Sequence, residues 1–353
     1  MTTKEKVFEM LCGGDYLENR PVGDAHSTGA VSGEKLAAEC GVSRAAIWKA
    51  VNALRSEGYS IEGTPNGGYI LTDRDIFTPD LFHHTLEQNF PELSGCHTEV
   101  FKEIDSTNTY AKRVLAEAGR KWHRSVIVAE QQSAGRGRLG RTFVSPKGTG
   151  IYLSVIYAPE GGITNPARLT ACTAVAVCRA VRKMYGIECQ IKWINDIFYN
   201  GKKICGILAE GVANFESGVI ESAVVGIGIN IRENPDVFGE ELAKVAGAIC
   251  AEQGASQGVT RCQLAAEIAG QVLRIFEEDV NNHSEIIEEY RKLSFLIGRE
   301  LTVHPLIGDD KTAYQATAVD IDEDAHLIVR LADGAQRTLN SGEVSLHSED
   351  CHI

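Results

Sequence analysis

Gly135-Arg136-Gly137-Arg138-Leu139-Gly140-Arg141 is the stretch on which the fold turns. It spells G-x-G-x-x-G and follows a strand candidate, Ser125–Glu130, which suggests a dinucleotide-binding Rossmann unit. The context does not fit, because those glycines should open a helix. Instead Thr142-Phe143-Val144-Ser145-Pro146 leads through Lys147-Gly148-Thr149-Gly150 into another strand. Backbone amides and a helix dipole hold a pyrophosphate without arginines, whereas this loop carries Arg136, Arg138 and Arg141. No Gly-Lys-Ser/Thr follows, so a phosphate-binding P-loop is excluded as well. Glycines let a backbone fold over a ligand, and arginines supply permanent planar forks for phosphate oxygens. The stretch reads as a loop that closes on a polyanion. Like charges on a Gly-rich segment predict disorder until that anion arrives. The bland alternative is a surface Arg/Gly loop that binds nothing, or RNA.

Around this loop, strands and helices alternate from about residue 76 to 295. Strands are expected at Glu99–Lys102, Ser125–Glu130, Ile151–Tyr157, Cys189–Trp193, Ile197–Tyr199, Ile204–Glu210 and Val219–Ile229. Helices are expected at Ser106–Ala118, Pro166–Tyr185, Arg261–Asp279 and Ser284–Leu293. The Asn200-Gly201 turn makes a hairpin, and hairpins mixed with helices point to α+β rather than a purely parallel sheet. Lys192-Trp193-Ile194-Asn195-Asp196 ends one strand, where Asn195 and Asp196 can orient a ligand and hold a cation; Asp196 alone also suits a turn or cap. Of Lys202 and Lys203, adjacent on a strand, one faces the functional side, and spacing does not say which. Gly226-Ile227-Gly228-Ile229-Asn230 has glycines where a backbone or ligand approaches closely.

Residues 1–75 read as helices ending in a hairpin. Lys4–Cys12 is a short amphipathic run, followed by the polar stretch Gly13–Gly29. Ser32 starts a helix, Gly41-Val42 breaks it, and Ser43 starts another with Ala45, Ile47, Val51 and Leu54 at helical spacing. Tyr59–Glu62 and Tyr69–Leu71, joined by Pro65-Asn66-Gly67-Gly68, form a hairpin. This order is a helix-turn-helix with a wing. The second helix carries Arg44, Lys49 and Arg55, with no acid from Gly41 through Ser56. A solvated face is the bland reading; the local lack of acids favours DNA. Trp48 reads as core or partner-facing rather than base-stacking. Residues 296–353 hold only short strands, with a hairpin turn at Asp333-Gly334, and a segment of that size should form a small barrel.

Composition sets the limits. The 353 residues are enough for two or three domains, and 43% hydrophobic with 24% charged residues excludes a disordered or collagen-like chain. A net charge of −13 argues against general nucleic-acid binding but leaves room for one basic element. No apolar run is long enough to span a membrane, and the Met1–Lys6 start has no signal-peptide core, so a cytoplasmic protein is expected. None of the 10 cysteines forms a C-x-x-C pair, so reduced, buried thiols are expected rather than disulfides or a zinc site.

Taken together, these motifs resemble the biotin protein ligase family, specifically its members that are also biotin operon repressors. The matching pieces are Ile104-Asp105-Ser106-Thr107-Asn108, Gln132 through Arg141, Lys192 through Asp196, Lys203-Ile204-Cys205-Gly206-Ile207-Leu208 and Gly226 through Asn230. Ser43–Lys49 and Gly342-Glu343-Val344-Ser345-Leu346 match as well. The ordered set spans nearly the whole chain. The resemblance implies a multidomain α+β chain: a winged helix-turn-helix at 1–75, a class II synthetase-like catalytic domain at 76–295 and an SH3-like barrel at 296–353. It implies that biotin and ATP give biotinyl-5′-AMP and pyrophosphate, with Mg2+, and that the adenylate acylates a lysine of a biotin carboxyl carrier protein or another biotin-accepting carboxylase domain.

By motif, Ser106, Thr107, Asn108 and Gln132 are the implied biotin contacts, though a helix-start serine also serves as a cap. Arg136, Gly137 and Arg138 wrap biotin and the adenylate phosphate, and Lys203 meets the carboxylate and α-phosphate. Asn195, Asp196 and Gly206 complete the site, with Asp196 the metal position. Arg138, Lys203 and Asp196 are the implied catalytic residues. Ser43, Arg44, Lys49 and Arg55 are the implied operator-DNA contacts, made by a homodimer when biotinyl-AMP is bound. Ile194 stands where proline is common and Phe143 where tryptophan is common; both leave the chemistry intact. The long Gly13–Val31 connection bears on DNA docking or dimer geometry. The competing readings are a ligase whose winged helix does not regulate, a transcription factor sensing a small acid without catalysis, and a lipoate ligase.

Overall fold

The computed structural model describes residues 2–12, 30–64, 68–73, 75–163, 165–213, 220–233, 238–239, 243–250, 259–305 and 312–346. Most of the Gly13–Val31 connection and the Pro65–Gly67 turn lie outside them. The chain divides into two compact units, Met1–Ser94 with Gly254–Glu267, and Gly95–Gln253 with Ile268–Ile353.

In the first unit, helices α1 (Thr3–Cys12) and α2 (Gly33–Cys40) pack against α3 (Arg44–Glu57). Their shared core is Val7, Phe8 and Leu11 from α1, Leu36 from α2, and Ile47, Val51 and Leu54 from α3, all buried. Local chemistry sets the helix ends. The hydroxyls of Ser32 and Ser43 accept from the backbone N–H of Lys35 and Ala46, each satisfying an orphan donor. Gly41 closes α2 at φ +66°, which only glycine adopts without strain. The expected hairpin is present as β2 (Ser60–Gly63) and β3 (Gly68–Asp73). A short strand absent from the sequence reading, β1 (Val31–Ser32), pairs with β3 to give a three-stranded sheet ordered β1-β3-β2. Helix α4 (Pro79–Asn89) was also not anticipated. Its cap residue Thr78 bonds the Tyr59 hydroxyl at 2.9 Å, and Lys4 bridges Glu57 and Asp80. Trp48 is not core: it is 57% exposed.

In the second unit a seven-stranded sheet runs β4-β5-β6-β10-β9-β8-β7. Its strands are β4 (Thr98–Phe101), β5 (Val126–Ala129), β6 (Gly150–Tyr157), β7 (Gln190–Lys192), β8 (Asp196–Tyr199), β9 (Lys202–Ala213) and β10 (Ile220–Asn230). Only β4 and β5 pair in parallel, as the α+β reading expects. Helix α5 (Thr107–Ala118) packs Ala111, Val114 and Leu115 on Ile127, Ile156 and Val224. Helix α6 (Pro166–Tyr185), capped by Asn165, packs on β8, β9 and β10. The two helices expected at Arg261–Asp279 and Ser284–Leu293 are one helix, α7 (Arg261–Leu293); no residue between them is a proline or glycine, so none forbids helical dihedrals.

The C-terminal strands β11 (Glu300–His304), β12 (Tyr314–Ile321), β13 (Leu327–Arg330), β14 (Gln336–Leu339) and β15 (Glu343–Leu346) form one antiparallel sheet ordered β14-β13-β12-β11-β15. Among the described residues no pairing joins β14 to β15, so a closed barrel is not seen. The chain is an α+β protein with an N-terminal helix-turn-helix, a central domain built on the seven-stranded sheet and a C-terminal β domain. No helix among the described residues is long and apolar enough to cross a membrane.

Candidate functional site

A cavity of about 350 Å³ opens over one face of the seven-stranded sheet. Every predicted pocket residue lines it: Ser106, Thr107, Asn108, Gln132, Arg136, Gly137, Arg138, Asn195, Asp196, Lys203 and Gly206. They come from the α5 N-terminus, the arginine loop, the β7–β8 turn and β9.

The α5 end is a closed polar network. Ser106 caps the helix by accepting from the Thr109 N–H. The Thr107 N–H donates to Gln132 Oε1 at 2.9 Å, and Gln132 donates onward to Ser145 Oγ at 2.9 Å. Ser154, fully buried on β6, donates to Asn108 Oδ1 (2.6 Å) and is hydrogen-bonded to the Thr107 hydroxyl (2.7 Å). Asn108 Nδ2 donates to the Leu208 carbonyl and to Glu210 Oε2. Ser154 and Glu210 escaped the sequence reading. A serine inside the apolar run Ile151–Tyr157 was the available signal for the first.

Close packing explains the glycines of β10. Gly226 and Gly228 share the face that carries Val224. A Cβ on Gly226 would overlap Asn108 Oδ1, and one on Gly228 would sit 2.5 Å from the Phe143 ring. Phe143 lines the cavity.

The arginine loop is held by its own hydrogen bonds and ion pairs. Gly137 N–H donates to the Arg141 carbonyl and Phe143 N–H to the Gly135 carbonyl. Each guanidinium finds its own acceptor, which removes the repulsion expected of bare like charges. Arg136 pairs with Glu210 (3.3 Å) and Arg141 with Glu343 (2.7 Å). Arg138 differs: it donates to Asn195 Oδ1 (2.9 Å) and the Gly342 carbonyl (3.1 Å), both neutral. Asn195 is itself pinned to Ile207 on β9.

Lys203 is the lysine facing the cavity, its Nζ 2.7 Å from Asp196 Oδ1, whereas Lys202 donates to the Ala243 carbonyl. Burial pushes the Lys192 ammonium below the usual lysine value; Asp196 opposes that and Lys203 adds to it. For Glu210, burial works against the carboxylate, but hydrogen bonds from Lys112 and Asn108 and the charges of Lys112 and Arg136 outweigh it, holding its pKa below the ordinary 4.5. The stability this network contributes is therefore present above pH 4.5 and lost as pH falls through the folded value. Thermal midpoints of wild type and Glu210→Gln are expected to differ at neutral pH and to converge in acid. A constant gap would place the difference elsewhere than in the charge.

Among the described residues, only Asp196 and Glu343 bring carboxylates to the cavity wall, and Glu343 is engaged by Arg141. No cluster of three or more metal-ligating side chains occurs among the described residues. Such a wall is not an all-protein cation cage.

On α3 of the first unit, Arg44 and Lys49 are exposed with no acidic partner among the described residues. Arg55 is committed: its Nε donates to the Ile61 carbonyl (2.8 Å) and Nη1 to Asn52 Oδ1 (3.1 Å). Ser43 is occupied as the cap.

Known proteins match along the same lines. The pattern of the Biotin/lipoate A/B protein ligase family fits residues 100–230, an HTH domain pattern fits 25–70, and the Biotin protein ligase C terminal domain fits 297–347. The bifunctional ligase/repressor BirA of Bacillus subtilis is 31% identical over 324 residues, 90% of this chain and 94% of the relative. BirA of Escherichia coli is 30% identical over 322 residues, 90% and 94%. A biotin protein ligase structure from Aquifex aeolicus in complex with biotin and ATP aligns with TM-score 0.57 at 24% identity, covering 71% of this chain and 98% of that one; at that identity it speaks for the fold.

Proposed function

The chain belongs to the biotin protein ligase family, as a ligase with a helix-turn-helix repressor domain, and from that premise we propose how its residues divide the work. Biotin and ATP are the substrates. A biotin carboxylate oxygen attacks the α-phosphorus, the bond to pyrophosphate breaks, and biotinyl-5′-AMP forms. A lysine amine of a biotin-accepting carboxylase domain then attacks the acyl carbon; AMP leaves and the amine loses a proton.

The first step brings anion to anion. Two like charges about 4 Å apart at an effective dielectric near 20 repel by roughly 4 kcal/mol. Arg138 is the observation that carries the reading: a cation fixed at the cavity wall by neutral acceptors alone. It meets the α-phosphate already oriented. Lys203 exchanges Asp196 for the carboxylate and phosphate oxygens. Thr107, Asn108 and Gln132, with Ser106, hold the biotin head group, and Arg136 and Gly137 fold over it. Asn195 positions Arg138, and Gly206 leaves room for the ligand. Mg2+ arriving with the nucleotide would rest on Asp196 and neutralise phosphate charge. Closure of the loop excludes water from a hydrolysable anhydride.

The wider reading is a cytoplasmic protein of three parts: a winged helix at 1–75, a class II synthetase-like domain at 76–295 and an SH3-like barrel at 296–353. It dimerises when biotinyl-AMP is bound and presents Arg44 and Lys49 to operator DNA.

Two assays test this. With labelled ATP, biotin is expected to trigger pyrophosphate release and labelling of a carboxyl-carrier acceptor; lipoate is not. Absence of both would overturn the ligase reading. Duplex DNA from upstream of the same genome's biotin-synthesis genes is expected to bind tightly only with biotin and MgATP, at fixed salt. Binding indifferent to the adenylate would overturn the switch.

A further inference from the structure

We propose that Trp48 is a sequence-reading residue of the operator-binding helix, its indole lying in the major groove against a thymine C5 methyl. The inference rests on the repressor reading and takes it from attachment to base choice. Helix α3 buries Ile47, Ala50, Val51 and Leu54. Arg44, Trp48 and Asn52 follow one another at four-residue intervals, so they form a stripe along the flank of the helix beside the buried face. Trp48 stands in the middle of it, 57% exposed, the most exposed large hydrophobic side chain among the described residues. Its indole N–H has no hydrogen-bond partner among them. A tryptophan left in water at the centre of a helix face marks a contact surface rather than a core position.

The surroundings choose the occupant. Arg44, one turn earlier, and Lys49, the next residue, have no acidic partner among the described residues, and no acid lies between Gly41 and Ser56. An apolar ring flanked by free cations matches a groove walled by phosphates whose floor displays thymine methyls. Phosphate contacts carry no sequence information, so Arg44 and Lys49 cannot supply base choice by attachment alone. Arg55 and Asn52 are bonded to each other, and Arg55 is also tied to the Ile61 carbonyl, which leaves Trp48 as the uncommitted apolar side chain on the stripe.

The test uses the full-length chain with biotin and MgATP, and fluorescence anisotropy at fixed salt. Probes are duplex DNA from upstream of the biotin-synthesis genes, the same duplex with each thymine replaced singly by deoxyuridine, and a random duplex. Trp48→Ala is expected to cut the preference for the upstream duplex about tenfold or more while changing random-duplex affinity less than twofold. At least one deoxyuridine substitution should weaken wild type several-fold and leave Trp48→Ala unaffected; Trp48→Phe should retain part of the preference. An unchanged acceptor-biotinylation rate and thermal midpoint certify that Trp48→Ala is folded. A Trp48→Ala protein that keeps the preference, or wild type insensitive to every deoxyuridine, would overturn the inference alone. Wild type with no preference for the upstream duplex would overturn the repressor reading and the inference with it.

Discussion

Lys203→Ala is expected to slow biotinyl-adenylate formation by about 100- to 1,000-fold, the scale set by removing one preorganised charge donor at a developing anion. Lys203 is a cation of the cavity wall, its Nζ 2.7 Å from Asp196 and lining the same cavity as Arg138. Its loss leaves Asp196 without that counter-charge just where another anion must enter, so repulsion rises as attraction falls. Arg138→Ala should act differently. Arg138 is fixed by Asn195 and Gly342 before any ligand arrives, so its removal should weaken retention of the finished adenylate as well as its formation. Rapid-quench measurement of labelled adenylate separates the two, reading formation rate for one variant and leakage into solution for the other. Wild-type rates and retention in both variants would sink the assignment of these residues.

Gly226→Ala is expected to raise the Kd for biotin by at least about tenfold and to lower stability by about 1–3 kcal/mol, the range for overpacking a filled interior. The added methyl would occupy the place of Asn108 Oδ1. Asn108 cannot yield cheaply, because it is 3% exposed and bonded to Ser154, Leu208 and Glu210. Moving it strands buried polar groups, each at about 1–3 kcal/mol. Calorimetric titration of biotin and a thermal melt read the two effects. Normal biotin binding in a destabilised variant would remove Asn108 from the substrate contacts and leave it a structural role.

Much of the site was legible because its residues are chemically conspicuous. Arginines in a Gly-rich loop, Asn195-Asp196 at a strand end and a capping serine before Thr107-Asn108 all show in one dimension. The partners that hold them were not. Glu210 and Glu343 are ordinary acids in sequence, yet they meet Arg136 and Arg141. Without them the loop reads as unshielded positive charge.

Periodicity, capping and turn chemistry are local, acting within a few residues. The sequence alone therefore determined the α+β alternation, the helix-turn-helix with its hairpin and the rejection of a Rossmann loop, while the pocket residues were named by the family resemblance. The choice between Lys202 and Lys203 was beyond it. Strand β8 pairs Ile197 with Cys205 and Phe198 with Lys203, so Ile204 is an extra residue, a bulge. That bulge breaks the simple alternation of side chains and lets Lys203 reach over Gly206, on the cavity side. Bulges, the neutral anchoring of Arg138 and the exposure of Trp48 all depend on which distant segments come together. Those pairings are set by the packing of the whole sheet or helix bundle, and only the tertiary structure decides them.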